Sequence, residues 1–155
     1  MIMSAIKNNW PKLPIFKDLS PQYLDLLART ATDVACRPGE LLFHEGEEAD
    51  TFYVVAEGNI AIEIFTGERG PVTIQTVGAA EVLGWSWIVE PYRWHFDARA
   101  TAACQLISFD ATLVRKSFDE HPEFGFAMFK RFLPVIVQRM QSTRLQLLDV
   151  YHVHH

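Results

Sequence analysis

The sequence predicts an α+β fold that is mainly β, with a sandwich or jelly-roll barrel between an N-terminal helix and C-terminal helices. Three observations predict it. Between residues 33 and 110, β-branched or aromatic residues alternate with polar ones in short runs that glycine or acidic turns separate. A helix-start signal precedes this region, and apolar residues at helical spacing follow it. A chain of 155 residues, 49% of them hydrophobic, is expected to form one domain that needs no disulfide.

The N-terminal helix is expected to begin at Ser20 and Pro21, because serine is a good N-cap and proline suits the first helical position. Its apolar stripe runs to about Thr30 and consists of Tyr23, Leu24, Leu26 and Leu27. We therefore divide the single domain into an arm and helix over residues 1–32, a barrel over 33–110 and C-terminal helices over 111–150.

Six strands are predicted in the barrel, and turns that contain glycine lie between them. Glycine is favoured in tight turns, since a positive φ penalises a Cβ atom. Short strands that recur at such regular spacing are typical of a sandwich or a jelly-roll barrel. The predicted strands are Leu41–His44, Phe52–Ala56, Asn59–Phe65, Val72–Val77, His95–Ala100 and Gln105–Phe109.

The C-terminal region is expected to hold two helices. A short amphipathic segment after Asp110 ends near His121, because the residue before Pro122 is pushed out of the helical region. A second helix then runs to about Val150. Pro134 lies inside it and predicts a kink or a junction between two helices.

Beyond Pro134, apolar residues recur at spacings of three and four residues in two phases. One phase holds Val137, Met140, Arg144, Leu147 and Tyr151, and the other holds Ile136, Met140, Thr143, Leu147 and Val150. Over so short a length, the pattern fits two arrangements equally well. The helix packs on its own barrel, or it forms the seam of a symmetric coiled-coil homodimer.

Composition excludes several classes of protein. The charge balance, 14 Lys+Arg against 19 Asp+Glu for a net charge of −5, argues against a nucleic-acid binder that needs clustered cations. No apolar window reaches the roughly 18 residues of a membrane span, and Lys7 interrupts any signal peptide. Cys36 and Cys104 lie in strand-like apolar surroundings and are expected to be free thiols in a reducing compartment. These observations predict a cytoplasmic protein outside the membrane.

Signatures of catalysis are missing from the sequence. It contains no P-loop, no Gly-x-Ser-x-Gly elbow, no His-Glu-x-x-His and no Cys-x-x-Cys. His152, His154 and His155 could bind a transition metal through their imidazoles, but nothing in the sequence specifies the geometry of a third ligand. We therefore expect no enzyme activity, no metal site and no cofactor.

One stretch of the barrel carries a family pattern. It reads Pro38-Gly39-Glu40-Leu41-Leu42-Phe43, then Glu45-Gly46-Glu47, Ala49-Asp50, Phe52-Tyr53-Val54-Val55 and Glu57-Gly58-Asn59-Ile60. This pattern resembles the cyclic nucleotide-binding domain family, which includes catabolite-activator-type regulators and the regulatory subunits of protein kinase A. The resemblance extends over the N-terminal helix, the barrel and the long last helix.

The resemblance implies a cupin-like β-roll with a ligand pocket between the roll and the last helix. It implies a small anionic ligand such as cyclic AMP or cyclic GMP, and a homodimer along the C-terminal helix. Family members that bind DNA carry a helix-turn-helix domain after that helix, where this sequence ends at His155. Direct DNA binding is therefore not expected.

The ligand cassette departs from the family pattern. The family holds the cyclic phosphate and ribose with a glycine-glutamate pair that opens a short helix, and with an arginine about ten residues later. The matching stretch here is Leu83-Gly84-Trp85-Ser86-Trp87-Ile88. Gly84 is kept, Trp85 replaces the glutamate, and the position of the arginine falls on Trp94 or His95.

Other groups could bind an anion in place of the altered cassette. A helix that opens at Gly84 would present the backbone N–H groups of Trp85, Ser86 and Trp87 to it. Arg93 or Arg99 could supply a bidentate fork, and His95 would help only when protonated. The alternatives are a solvated loop arginine at 93 and, at 99, an ion pair with Asp97 or Glu81.

Aromatic residues cluster in the same stretch. Their rings form either a pocket wall that stacks on a heterocycle or ordinary core. The cluster consists of Trp85, Trp87, Tyr92, Trp94 and Phe96. On the last helix, Arg139 and Thr143 share one face, where they either contact a ligand base or belong to an ordinary surface.

Two functions remain open from the sequence. The first is a ligand-sensing regulatory module that binds a cyclic nucleotide or a related anion in the roll and signals through the C-terminal helix. The second is a cyclic-nucleotide-insensitive dimerisation or scaffold domain whose pocket is filled by Trp85, Trp87 and Trp94.

Overall fold

The computed structural model describes residues 9–153, except for the side chains of residues 146, 147 and 149–153. The last residues of the predicted helical stripe, Leu147, Val150 and Tyr151, and the histidines of the tail therefore lie outside the described side chains. The helices are α1 (Pro21–Thr30), α2 (Ala111–Glu120) and α3 (Pro122–Val153). The strands are β1 (Thr32–Cys36), β2 (Leu41–Phe43), β3 (Thr51–Glu57), β4 (Ile60–Phe65), β5 (Pro71–Val77), β6 (Val82–Leu83), β7 (Asp97–Ala100) and β8 (Cys104–Asp110).

The strands form two antiparallel sheets of four strands each, as the predicted α+β jelly-roll requires. One sheet has the order β1-β8-β3-β6 and the other has the order β2-β7-β4-β5. β1 and β6 are absent from the predicted set of strands. β1 lies at the edge with only Cys36 buried, so its sequence lacks alternation, and β6 has just two residues. β7 begins at Asp97, two residues later than predicted.

The helix boundaries follow the signals in the sequence. α1 begins at Pro21, directly after Ser20. At the start of α2, the Asp110 carboxylate accepts a hydrogen bond of 3.0 Å from the Leu113 N–H, which satisfies one of the free donors of that helix end. The break between α2 and α3 falls at His121, before Pro122, as predicted.

α3 continues through Pro134 as one helix, so of the two predicted alternatives the junction between two helices is wrong and the kink stays a prediction. A proline inside a helix leaves the carbonyl four residues earlier without its backbone donor. Here that residue is Lys130, and both it and Pro134 are exposed. Water can therefore bond to the freed carbonyl, and the helix persists.

The core draws residues from both sheets and from the helices, and its aromatic part lies where the first sheet meets α3. The rings of Phe52 and Trp87 stack with centroids 4.5 Å apart, and Phe52 stacks on Phe109 at 4.9 Å. Phe132 of α3 meets Phe52 and Trp87 edge-on, with centroids 5.7 and 5.2 Å away. Phe132, Phe124 and Met128 recur every fourth residue and are all fully buried, so this face of α3 is anchored in the core.

Cys36 and Cys104 lie directly opposite each other in the β1–β8 register. Both are buried free thiols, which agrees with the prediction. Burial raises the pKa of the Cys36 thiol, so little of it is thiolate at neutral pH. Among the described residues, no helix is both long enough and apolar enough to cross a bilayer.

Candidate functional site

A small hollow lies between the roll and α3. It encloses about 20 Å³, which is room for about one water molecule. Sites for drug-sized ligands usually have roughly 300–1,000 Å³. The hollow is therefore closed in this conformation. It is lined by Phe43, Ile62, Ile74, Gln75, Gly84, Trp85, Ser86, Trp94, His95, Phe96, Arg139 and Thr143.

Most of the predicted site residues meet at this hollow. Gly84, Trp85, Ser86, Trp94, His95, Arg139 and Thr143 line it. Trp87, Arg93 and Arg99 do not. The cassette stretch and the last helix thus share one wall, although more than forty residues separate them in the sequence.

Trp94 covers the glycine of the cassette. Gly84 has a φ of +95°, and a Cβ atom there would come within 2.9 Å of two carbons of the Trp94 ring. Trp94 is buried and stacks on Phe43 with the ring centroids 3.7 Å apart. The indole therefore occupies the space directly against the cassette backbone.

Trp85 forms the outer part of the wall. It is only half-buried and stacks on His95, with ring centroids 4.9 Å apart. The Oγ of Ser86 and the Nδ1 of His95 are 2.9 Å apart, within hydrogen-bonding distance. His95 is exposed and Ser86 is buried, so this pair joins the solvent side of the wall to its interior.

The predicted helix after Gly84 is only a single 3-10 turn, Ser86–Ile88. A helix dipole sums over aligned peptide units, so three residues supply little of it, and the predicted anion cradle on this turn is not supported. Trp87 does not line the hollow, because its ring is fully buried against Phe52 and Phe132 in the core.

The two arginines expected to replace the family arginine are engaged elsewhere. Arg93 is exposed and donates a hydrogen bond of 3.0 Å to the Gly46 carbonyl. Arg99 donates to the Glu63 carboxylate at 3.2 Å and to the Gly39 carbonyl at 2.8 Å. Its ion-pair partner is thus Glu63, on a neighbouring strand, and neither of the predicted acids.

Asp97 and Glu81, the acids expected beside Arg99, have other partners. Asp97 pairs with His44, with Oδ1 and Nδ1 2.7 Å apart, and it also accepts from the Glu45 N–H. Glu81 accepts a hydrogen bond of 2.8 Å from the Gly78 N–H. The β2–β7 pairing brings His44 to Asp97, which the sequence spacing alone does not reveal, whereas Glu81 bonds within its own turn.

Arg139 of α3 is the buried cation of the hollow. Its side chain is 6% exposed, and Nη2 donates a hydrogen bond of 2.7 Å to the Val82 carbonyl. Among the residues that the structure describes, no carboxylate lies within 4.0 Å of it. Burial lowers the pKa of the guanidinium, and Glu81 partly opposes this from a longer distance. Thr143 sits one turn further and donates to the Arg139 carbonyl at 2.8 Å.

Sequence reasoning missed four lining residues. Phe43, Ile62 and Ile74 have the pattern of ordinary strand core, so no signal distinguishes them. The fourth, Gln75, occupies a half-buried position of β5, where a polar residue looks solvent-facing. Its Oε1 atom is buried without a hydrogen-bond partner in the described structure. An orphaned acceptor of this kind is rare in folded proteins and marks the site as polar on one side.

An open groove adjoins the hollow on its solvent side. Its volume is about 550 Å³. It shares Trp85, His95, Phe96 and Thr143 with the hollow, so these side chains separate the two spaces. The remaining lining residues come from α3 and are Met140, Arg144 and Leu148.

The described part of the site holds no cluster of metal-ligating side chains. Within residues 9–153 as described, no group of three or more His, Cys, Asp or Glu side chains could hold a metal ion. The wall consists of aromatic rings, one buried guanidinium and a few neutral polar groups. This arrangement suits binding of a small molecule that has an anionic group and an apolar part.

Comparison with known proteins shows which family has this architecture. The family model described as the cyclic nucleotide-binding domain matches residues 33–121. A curated relative, the CRP-like cAMP-activated global transcriptional regulator of Mycobacterium tuberculosis, is 24% identical over 140 residues, which are 88% of this chain and 59% of the regulator. The chain therefore spans less than two thirds of the length of that relative.

Two solved structures show the same fold. A protein from Geobacter metallireducens that is assigned as cyclic nucleotide-binding aligns with a TM-score of 0.77 and 18% identity, over 90% of this chain and 99% of that chain. A cyclic nucleotide-binding domain from Methylobacillus flagellatus aligns with a TM-score of 0.75 and 18% identity, over 96% and 86%. At this level of identity, the likeness concerns the fold alone.

Proposed function

Because the chain belongs to the cyclic nucleotide-binding domain family, we propose that it is a non-catalytic, ligand-sensing regulatory module. Its hollow takes a small anionic ligand, and the occupied state is transmitted through α3. The observation that carries this proposal is the position of Arg139. This buried cation belongs to α3, yet it is bonded to the roll at Val82 and lines the hollow. A ligand that binds Arg139 therefore changes how α3 sits on the roll.

Cyclic AMP and cyclic GMP are the first ligands to test, but the family mode of binding is disfavoured here. Trp85 stands in place of the glutamate, and Trp94 packs against Gly84. No arginine lines the hollow from the roll. A cyclic nucleotide would need Trp94 to leave its stack on Phe43, at the expense of well-buried aromatic surface.

Signalling is expected to be a population shift between two poses of α3. A ligand shifts such an equilibrium only by the difference between its affinities for the two states. Arg139 supplies the difference, since its bonds to ligand and to Val82 depend on where the helix lies. Pro134, one and a half turns earlier, lacks a backbone donor and is the expected hinge.

We also propose a homodimer along α3. Large apolar side chains on its outer face are exposed at spacings of three and four residues, a pattern that usually becomes buried against a partner. They are Phe126, Phe129, Leu133, Val137 and Met140. Ile136 and Thr143 are half-buried, so the opposite phase turns toward the roll.

The dimer is tested by analytical ultracentrifugation of Met140→Glu beside its neighbour Gln141→Glu, since both residues are exposed on α3. A charge at Met140 should dissociate the dimer, and a charge at Gln141 should leave it intact. A wild-type chain that sediments as a monomer at micromolar concentration would contradict this part of the proposal.

A second candidate function is a scaffold that has lost ligand binding. Its specific support is the closure of the hollow, which holds about 20 Å³ with the Trp94 indole against the cassette backbone. In that case the aromatic cluster is core, and the exposed face of α3 is the functional surface.

Thermal-shift titration separates the two candidates. Cyclic AMP, cyclic GMP, cyclic dinucleotides and small organic anions are each added to the chain. A ligand at 100 times its Kd stabilises the folded state by about 2.7 kcal/mol. A rise in Tm, together with changed hydrogen exchange in residues 135–148, supports the sensor, and no rise with any of these compounds supports the scaffold.

Trp85→Glu with Trp94→Arg rebuilds the family cassette and serves as the control. If cyclic AMP stabilises only this double variant, the natural hollow no longer binds cyclic nucleotides.

A further inference from the structure

Arg139 is a buried cation without an ion-pair partner among the described residues. A charged group that is 94% hidden from solvent is normally paired, because an uncompensated buried charge destabilises the folded state. The guanidinium has five N–H donors, and one of them bonds to a neutral carbonyl, that of Val82. Glu81, the acid whose charge acts on it, is exposed and bonded to Gly78. Within the described structure, the charge of Arg139 is therefore buried beside neutral groups, where an anion would stabilise it.

The form of the hollow limits which anion fits. Arg139 is the one permanently charged side chain in its described lining, so the site suits a single negative charge. A guanidinium presents a planar fork of donors that matches the two oxygens of a carboxylate. A phosphate monoester carries up to two charges, of which a single buried cation neutralises only one.

Gln75 gives a second, independent observation. Gln75 lines the hollow and its buried Oε1 has no hydrogen-bond partner, so a half-turn of the amide breaks no bond of that oxygen. The NH₂ group would then point into the hollow as a neutral donor. Together with Arg139 it would hold both oxygens of a carboxylate without adding a charge.

The adjoining groove indicates what the rest of the ligand resembles. Trp85 and Phe96 face both the hollow and the groove, and Met140 and Leu148 extend the apolar surface along α3. Arg144 also lines the groove and is exposed to solvent there. The volume of the groove, about 550 Å³, is that of a small-molecule site. An apolar chain or ring attached to a carboxylate would cover this surface while its head reaches Arg139.

We propose that the hollow and the groove together form a binding site for an apolar monocarboxylate, which pairs with Arg139 and rests its body on Trp85 and α3. This inference rests on the proposed sensing function and names its class of ligand. Trp85 is the side chain that must move, since it is half-buried and lies between the two spaces, whereas Trp94 is held in the Phe43 stack.

Isothermal titration calorimetry with matched probes tests the proposal. Octanoate and cinnamate are compared with their neutral amides, octanamide and cinnamamide, on the wild-type chain. Both carboxylates should bind at least about tenfold more tightly than their amides, since a charge-assisted hydrogen bond contributes that much or more. Equal affinity of acids and amides would overturn the proposal, because the groove would then be a nonspecific apolar surface.

Two variants test whether Arg139 is the cation that pairs with the carboxylate. Arg139→Met keeps the length and apolar stem of the side chain and should lower octanoate affinity by about tenfold or more, with octanamide affinity unchanged. Lys130→Met removes one cation from an exposed position of the same helix and should leave octanoate affinity as in the wild type. Undiminished octanoate binding by a folded Arg139→Met chain would overturn the proposal.

Other outcomes separate this inference from the function on which it rests. If cyclic AMP or cyclic GMP binds and the carboxylates do not, the inference fails and ligand sensing stands. If none of these compounds binds and Met140→Glu dissociates a dimer, a second copy covers the groove, so ligand sensing and this inference both fail while the homodimer stands.

Discussion

The two segments of α3 on either side of Pro134 are held in different ways. The proximal segment, residues 122–134, places Phe124, Met128 and Phe132 fully inside the core. In the distal segment, residues 135–148, the one described side chain that is buried is Arg139, a cation. Apolar burial anchors a helix independently of ligands, whereas an unpaired buried charge makes its position depend on what neutralises it. The distal segment is therefore the part of α3 that can respond to a ligand.

The largest expected effect tests the anchor of the proximal segment. Phe132→Ala should lower the free energy of unfolding by about 3–5 kcal/mol, since it opens a cavity among Phe52 and Trp87. Val137→Ala in the distal segment removes an exposed side chain and should lower it by less than about 1 kcal/mol. Urea unfolding measures both. Equal losses would mean that the two segments are anchored alike.

The roll surface beneath the distal segment is tested next. Gly84→Ala should lower the free energy of unfolding by about 1–3 kcal/mol, because its Cβ meets the Trp94 ring at 2.9 Å. Gly46→Ala is the matched control, since Gly46 has a similar φ of +92° with nothing within 4 Å of the added Cβ. The control should show only the backbone strain. If the two variants lose the same stability, Trp94 does not press on Gly84.

A smaller effect is expected where the distal segment meets the roll. Arg139→Met should leave the free energy of unfolding within about 1 kcal/mol of the wild type or raise it, because methionine removes the desolvation penalty of the charge. By contrast, truncating a buried apolar side chain in the proximal segment lowers the free energy of unfolding. Urea unfolding measures the effect. If Arg139→Met lowers the free energy of unfolding as much as Phe132→Ala does, Arg139 anchors the distal segment, and the two segments do not differ.

The smallest effect concerns pH and lies in the proximal segment. Tyr23 donates a hydrogen bond to the Glu123 carboxylate, and this lowers the pKa of Glu123 below its ordinary value of 4.5. His121 acts in the same direction, with Nδ1 3.6 Å from the carboxylate. A carboxyl group whose pKa is lower in the folded state stabilises the fold above its unfolded pKa and loses that contribution as pH falls.

Tyr23→Phe removes that hydrogen bond and keeps the ring stacked on Phe124, whose centroid lies 4.4 Å away. The variant should lose less Tm than the wild type as the pH falls from 6 to about 3. Thermal melts over this range check it, and parallel curves for the two proteins would contradict it.

The sequence predicted much of the roll because its signals are local. Alternation and glycine turns located six of the eight strands, and Pro122 marked the helix break. β6 escaped because two residues carry no period, and β1 because an edge strand buries little. The prediction of a helix after Gly84 was wrong because only three residues form a turn there, which is too short to carry a period in the sequence.

The site was predicted in part. The cassette stretch and the pair Arg139 and Thr143 do line one hollow. Arg93 and Arg99 do not, since loop geometry directs the first to Gly46 and strand register gives the second to Glu63. No pattern in the sequence distinguishes Gln75 from a solvent-facing strand residue.

The amino-acid sequence by itself determined the class of fold, the family and the loss of the glutamate and arginine from the cassette, because each depends on residue type at short spacing. Only the tertiary structure decided that Trp87 faces the core while Trp94 closes the hollow, and that the buried cation comes from Arg139, 57 residues away from its partner Val82. The reason is that side chains in a loop take their direction from packing against distant elements. A contact between such elements leaves no period in the chain.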